Sequence, residues 1–480
     1  MRRRKSSFQD YPSEKRSAPS GWFSSLDREI LFLAVPATGS SLTLVVHTWV
    51  DTWWVSRLEN PDVPLAALSI AAFTVWIFGS VTALLGMGLT ALIARYVGSR
   101  RLDAARYVAY QGILGAVGLG FVTAVVGWFL APSVFSLVSD DADVNHAGIG
   151  YVRIFWGGGF ALLVQRACDA TFRAHGNTRT PFLISLGSMV LNVVLDPLLM
   201  FGMAGLPALG VHGVALATVA TAGIAGALTL YLLHRTRWIS AHRPTDEELR
   251  LTEATQLGRP GVLGLDWTLL RRVARIGLPV AYSGILFSVV YLLISRAVGD
   301  AGGTAAQAAL GLGHRGEAIA YMLASGFAVA AASIVGRRLG AGRPEDAARA
   351  AWRTVVLCGI ACALWSCFLL FGGEMLAAFF VEPGPTRQYA TSYYRVTALC
   401  LIPQAADIVL EGAFGGAGMT LPPMLITIPI SLLRIPLAYW AVAAGYGVEG
   451  IWWVISLTAI LRGVVMVLWF RRGTWKSQSV

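Results

Sequence analysis

About twelve apolar runs, each long enough to cross a bilayer, follow one another along almost the whole chain. A bilayer core needs about 20 apolar residues per helical span. The runs cover 29–55, 65–94, 107–131, 148–172, 180–203, 210–234, 270–297, 305–336, 353–380, 391–414, 422–444 and 448–470. No water-soluble fold has room to bury that much oil, and with 14% charged residues and a mean hydropathy of +0.61 the chain reads as an integral membrane protein. Lipid satisfies no backbone hydrogen bonds, so apolar spans of this length are helices and the predicted fold class is all-α. The polar stretch at residues 1–28 reads as a disordered cytoplasmic tail that stays attached.

One long polar connection, 235–269, divides the chain into a half at 29–234 (the N-lobe, spans 1–6) and a half at 270–472 (the C-lobe, spans 7–12), with a short tail at 473–480. The halves repeat each other. "LAVPATGSSLTLVVHTWV" (33–50) answers "IGLPVAYSGILFSVVYLL" (276–293), with Pro36 opposite Pro279. "VGSRRLDAARYVA" (97–109) answers "LGAGRPEDAARAA" (339–351), "FRAHGNTRTP" (172–181) answers "FGGAGMTLPP" (414–423), and "GVHGVALAT" (210–218) answers "GVEGIWWVI" (447–455). An even number of spans per copy inserts both copies the same way up, related by a pseudo-two-fold axis along the membrane normal. Such an arrangement predicts two lobes that rock around a central cleft.

Basic residues collect in alternate loops, including "RYVGSRR", "FRAHGNTR", the 235–275 connection, "GRRLGAGR" and "RRGTWK", whereas the opposite loops are poor in base or acidic, as in "SDDADVNH". The positive-inside rule places both termini in the cytoplasm of a multi-pass protein of the cell membrane. The net charge of +11 follows from this bias and from attraction to anionic lipid, not from nucleic-acid binding.

The motifs "AVPATGSSLTLVVHTWVDTWWVSRL", "RAHGNTRTP", "NVVLDPLLMFG", "GVHGVALAT" and "VGRRLGAGRPEDA" resemble those of the multidrug and toxic compound extrusion transporters, over nearly all of residues 29–472. That resemblance implies twelve helices in two lobes and export of organic, often cationic, compounds against inflow of protons or sodium. "FGGAGMT" departs from the family by lacking the Arg and Asp this loop often carries.

Within "NVVLDPLLMFG", Asn192 and Asp196 lie one helical turn apart on one face of the fifth span. A carboxylate deep in a bilayer costs about 2.5–3.5 kcal/mol on insertion scales, so Asp196 is expected to face the protein interior or a wet cavity. The first and fifth spans run the same way, which puts Asp51 and Asp196 at similar depth. Two acids with an amide between them suit either a sodium ion, which takes oxygen ligands, or a proton shared between carboxylates. At the equivalent C-lobe positions, in "YLLISRAV" and "SLLRIPLAY", no acid stands, so the coupling site is expected in the N-lobe alone. Asp51, Asn192 and Asp196 match the ion-site residues of the branch of the family whose essential acid lies in the first helix. By the same resemblance, Thr218 matches a further hydroxyl ligand. Pro36 removes a backbone hydrogen bond midway along the first span. The expectation is that ion release at the two acids lets this helix straighten or bend there.

Glu317, Asp407, Glu411 and Gln165 are candidates for the substrate cleft, with Arg434 as an alternative partner for Glu411. Gln165, Arg166 and Asp169 are expected to satisfy one another, and Arg153 to snorkel or pair. The five Cys lie in apolar spans and read as small apolar residues. "GLGHRG" (311–316) fits a dinucleotide motif but precedes a membrane helix, and neither a P-loop, a Ser-His-Asp arrangement nor a metal-ligand pattern is present in the sequence. No cofactor and no enzymatic activity are expected, only a coupling ion, H+ or Na+. The expected partners are a small organic substrate and the bilayer, with a monomer sufficient for the mechanism. The leading reading is an ion-coupled antiporter working by alternating access. Its alternatives are a flippase for a lipid-linked saccharide, which calls for a cavity rich in Arg or Lys, and an exporter of an endogenous metabolite.

Overall fold

The computed structural model describes residues 24–59, 62–138, 141–244, 257–258, 260–261 and 264–477. In chain order its helices are α1 (Ser25–Val55), α2 (Asp62–Gly98), α3 (Leu102–Val138), α4 (Ala142–Gly157), α5 (Gly159–Ala174), α6 (Arg179–Met200), α7 (Val211–Thr236), α8 (Trp267–Gly303), α9 (Ala305–Gly340), α10 (Pro344–Phe380), α11 (Pro385–Ala398), α12 (Leu401–Gly416), α13 (Leu421–Ala443) and α14 (Gly447–Arg471). Ten of these are long and apolar enough to cross a membrane alone. The pairs α4/α5 and α11/α12 add two further spans, bent by 44° and 60°. The fold is therefore all-helical, with twelve spans in two repeated lobes. The bends fall at equivalent places in the repeat, at Gly158 and at Leu399–Cys400.

Most helices run several residues past the apolar stretches that mark them in the sequence. Local chemistry sets their ends. Ser24 and Asp27 form a capping box on α1, with Asp27 N donating to Ser24 Oγ at 3.2 Å and Ser24 N donating to Asp27 Oδ2 at 2.9 Å. Pro344, Pro385 and Pro422 stand in the first turns of their helices, where no N–H is needed. Between α8 and α9 the chain reverses at Gly303, whose φ of 66° and ψ of −161° suit only a residue without a side chain.

Two buried apolar clusters make the lobes, and they exchange helix ends. The C-lobe cluster, built from residues such as Val290, Leu410 and Trp452, also takes in Ile30, Leu33 and Ala34 from the start of α1. In return the N-lobe cluster takes in Leu269, Val273 and Ile276 from the start of α8, together with Leu257 of the connection. Each lobe's first helix thus begins packed on the other lobe and continues into its own. The connection leans on the N-lobe too: Gln111 of α3 donates to Gly264 O at 3.0 Å and accepts from Asp266 N at 3.0 Å.

Hydrogen bonds among the described residues tie the halves together. Thr38 Oγ1 donates to Leu323 O at 3.4 Å, Ser333 Oγ to Arg173 O at 2.7 Å and Arg95 Nη1 to Ala417 O at 3.5 Å. Glu29 takes Arg337 at 3.2 Å and Arg338 at 2.8 Å. The seam is narrow because small residues line it. A Cβ on Gly98 would overlap the carbonyl oxygen of Arg337, and one on Gly340 would overlap that of Arg95, a reciprocal fit produced by the repeat. Farther out, Trp49, Trp53, Trp76 and Tyr282 are exposed.

Candidate functional site

The helical spacing of Asn192 and Asp196 does what the sequence predicts. Both side chains are fully buried, and Asn192 Nδ2 donates to Asp196 Oδ1 at 3.2 Å. The outer half of α1 packs beside α6 and brings Asp51, 7% exposed, within hydrogen-bonding reach of Asp196. Pro197 follows Asp196 inside α6 and withholds the N–H that would bond the carbonyl of Val193, one turn back on the same helix.

Three oxygens of this group, Asp51 Oδ1, Asn192 Oδ1 and Asp196 Oδ2, are buried without a hydrogen-bond partner among the described residues. Leaving a polar atom so costs about 1–3 kcal/mol each, more when charged. Among the described residues the two acids form no ion pair with Lys or Arg; the imidazole of His47, one turn before Asp51, has its Nδ1 at 3.5 Å from Asp51 Oδ2. Chemically this is a buried cluster of oxygen ligands, two carboxyl groups and an amide, suited to one small cation or to protons.

Two members of the site escape a reading of the sequence. His47 shares a helical face with Asp51 in "HTWVD", a spacing visible in the sequence. Tyr151 of α4 is buried beside both acids, and no local signal announces it. Thr218, in contrast, spends its hydroxyl within its own helix, donating to Val214 O at 3.0 Å. Helix α1 continues through Pro36, whose carbonyl accepts from Ser40 Oγ at 3.1 Å.

The C-lobe acids are differently placed. Glu317 of α9 is half-buried and accepts two bonds, from Tyr393 OH at 2.9 Å and Gln404 Nε2 at 2.8 Å. Asp407, buried in α12, lies 2.5 Å from Arg462 Nε of α14, an ion-pair contact whose angle does not make it a hydrogen bond. Glu411, one turn farther on, is half-buried with Tyr321 and Arg462 as neighbours. Tyr321 keeps 44% of its surface accessible.

Some neighbour relationships agree with those the sequence suggests and one, at Arg434, differs. Arg434 does not pair with Glu411: its Nε donates to Thr458 Oγ1 at 2.7 Å and its Nη1 to Tyr291 OH at 3.4 Å. Helix α13 turns Arg434 toward α8 and α14, away from Glu411 on α12. The Cβ of Gln165 lies against Gly226 of α7. Asp169 is buried with Arg173 and Arg166 as its nearest charges, and its Oδ1 has no hydrogen-bond partner among the described residues. Arg153 donates to Trp128 O at 3.3 Å and lies over the Trp128 ring at 4.7 Å. The five cysteines are free, Cys367 exposed and the others buried, and among the described residues no group of three or more His, Cys, Asp or Glu is arranged to hold a metal.

Comparison with known proteins bears on this geometry. The family model described as MatE matches residues 36–198 and 279–440, one match in each lobe. A probable multidrug resistance protein NorM of Thermotoga maritima is 25% identical, over 98% of this chain and 97% of its own length. A protein of Shewanella oneidensis described as an FAD transporter is 24% identical, over 93% of this chain and 94% of its own. Among solved structures, a MOP superfamily transporter from Pyrococcus furiosus superposes with a TM-score of 0.83 at 21% identity, covering 94% of this chain and 96% of the other.

Proposed function

We propose a function from one premise: this chain belongs to the MatE family. It is a multi-pass membrane transporter of small molecules, and its full-length relatives include a probable multidrug resistance protein. The proposal is that it exports organic compounds, cationic or amphiphilic, in exchange for an inflowing proton or sodium ion. Transport proceeds by alternating access, with both termini in the cytoplasm of the cell membrane and a monomer as the working unit.

The observation that carries the proposal is the set of three partnerless oxygens on Asp51, Asn192 and Asp196, buried at one depth with no ion pair to Lys or Arg among the described residues. A purely structural hydrogen-bond cluster would pair its own atoms, because buried polar atoms left over are costly. A cation or proton removes that cost. The seam of Gly98, Gly340 and the Glu29–Arg337/Arg338 contacts closes the cytoplasmic side of such a transporter. The open side then faces outward, where an inflowing ion reaches the N-lobe acids. Pro36 is the proposed point of flexure in α1, between the part packed on the C-lobe and the part carrying Asp51.

A second reading, export of an endogenous anionic metabolite, draws on the relative described as an FAD transporter and on the buried Arg434 and Arg462. A flippase for a lipid-linked saccharide is less favoured, since Arg462 is already matched by Asp407 and Arg434 by Thr458 and Tyr291. Efflux of a fluorescent cation from proteoliposomes, under an imposed proton or sodium gradient, separates these. Gradient-driven dye efflux supports the cation exporter. Efflux of an anionic dye, with none of the cationic one, supports the metabolite reading.

A further inference from the structure

The repeat that builds the lobes puts a specific residue opposite the N-lobe amide. The register that sets Phe172 against Phe414, and the first residue of α6, Arg179, against the first of α13, Leu421, sets Asn192 against Arg434. The same register sets Tyr151 against Tyr393, and each tyrosine lines the polar pocket of its own lobe. The two pockets are therefore versions of one site at one depth. In the N-lobe version two carboxylates surround an amide and leave three oxygens without partners. In the C-lobe version Ala438 stands at the place of Asp196, and a guanidinium at the place of Asn192.

We propose that Arg434 is a resident cation, tethered where the N-lobe leaves room for a mobile one, so that only the N-lobe exchanges an ion during transport. This inference rests on the N-lobe reading given above. The guanidinium is held from two sides, by Thr458 of α14 at 2.7 Å and Tyr291 of α8 at 3.4 Å, and it is 3% exposed. Its counter-charge in the pocket is Glu317, linked through the rings of Tyr291, His314 and Tyr393, with Tyr393 OH on the Glu317 carboxylate. The other titratable groups facing this pocket are Cys400 at the α11/α12 bend and, one layer away on α12 and α14, the pair Asp407–Arg462 with Glu411. A fixed cation beside a fixed acid makes the pocket electrically complete at all stages of a cycle, whereas a buried acid stripped of its partner must find another cation.

The test compares ion stoichiometry, not activity. In proteoliposomes the number of coupling ions per dye molecule follows from the membrane potential that holds a given dye gradient at zero net flux. Arg434→Gln is expected to raise that number by one, Arg434→Lys to leave it at the wild-type value, and Glu317→Gln combined with Arg434→Gln to return it to the wild-type value. Should Arg434→Gln fail to fold, ion binding to the purified wild type decides: Asp196→Asn abolishes it, while Glu317→Gln retains the wild-type number of bound ions. An unchanged stoichiometry in Arg434→Gln, or loss of a bound ion in Glu317→Gln, overturns the proposal. Full ion binding in Asp196→Asn would instead overturn the N-lobe reading beneath it.

Discussion

Arg353 of α10 grips Asp27 of α1 with two nitrogens, Nε at 2.5 Å from Oδ1 and Nη2 at 2.9 Å from Oδ2. The contact ties the first turn of the N-lobe's leading helix to the C-lobe, and the acid also completes the helix cap with Ser24. Bidentate pairs of this kind fix geometry as well as charge. Arg353→Gln is expected to lower the melting temperature of the purified protein. Asp27→Asn is expected to lower it further, because a buried acid that also caps a helix is lost. The exchange Asp27→Arg with Arg353→Asp should fail to restore stability fully, since Arg cannot close the capping box. A double-mutant cycle on thermal unfolding measures the coupling, and additive effects would show that the pair acts independently.

The glycine seam predicts a change in conformational balance. Gly98→Val places atoms on the carbonyl of Arg337, and overpacking of this kind costs about 1–3 kcal/mol. That cost falls only on the state closed at the basic face, so the population shifts by about fivefold to a hundredfold toward the opposite state. Labelling of a cysteine introduced at Ala94 should become faster from the cytoplasmic side. Unchanged labelling would mean that the seam gives way elsewhere.

His175 closes α5 with its Nδ1 2.8 Å from Thr171 O and its ring stacked on Trp238 at 4.3 Å. Burial holds this imidazole down at about 4, against 6.5 in an unfolded chain; the nearby cations Arg106 and Arg337 act the same way, and the Thr171 carbonyl opposes them. The folded state therefore binds fewer protons than the unfolded state between these values. Stability from this group is complete above about pH 6.5 and declines as the pH falls toward 4. His175→Gln should flatten the acid side of the stability curve in that window, measured by thermal unfolding from pH 4 to 8. An unaltered slope would assign the acid sensitivity to other groups.

Asn192→Ala removes the amide that holds Asp196 at 3.2 Å without touching either acid. A hydrogen bond to a charged group contributes about 1.5–3 kcal/mol, so affinity for the coupling ion should fall by roughly tenfold to a hundredfold. Dye affinity is expected to stay near wild type. Calorimetric titrations of the ion and of the dye, each against detergent-solubilised protein, check the two expectations, and an unchanged ion affinity would contradict the first.

The twelve spans, the two-lobe repeat and the shared face of Asn192 and Asp196 were legible in the sequence, because each rests on periodicity or length, while Asp51 was placed near them by the common direction of its span. A span is counted from its oil, and residues four apart on a helix must share a face. What escaped was decided between helices. Nothing local tells that Tyr151 of α4 reaches the acids, or that Arg434 turns to Thr458 and Tyr291 and leaves Asp407 to Arg462. The crossing of Ile30, Leu33 and Ala34 into the C-lobe core was equally hidden, since the sequence places them in the first span of the other half. The position of Arg434 opposite Asn192 is carried by the register of the repeat and is visible in the sequence.

The central claim is that the buried oxygens of Asp51, Asn192 and Asp196 carry the coupling ion. Its most direct test is efflux of a fluorescent cation by wild type and Asp196→Asn in liposomes, under a proton gradient and under a sodium gradient. The account predicts that wild type responds to one of the two gradients, which names the ion, while the variant binds dye with near wild-type affinity and responds to neither. Gradient-driven efflux by Asp196→Asn at the wild-type rate would contradict it and turn attention to Glu317 and Glu411 in the C-lobe.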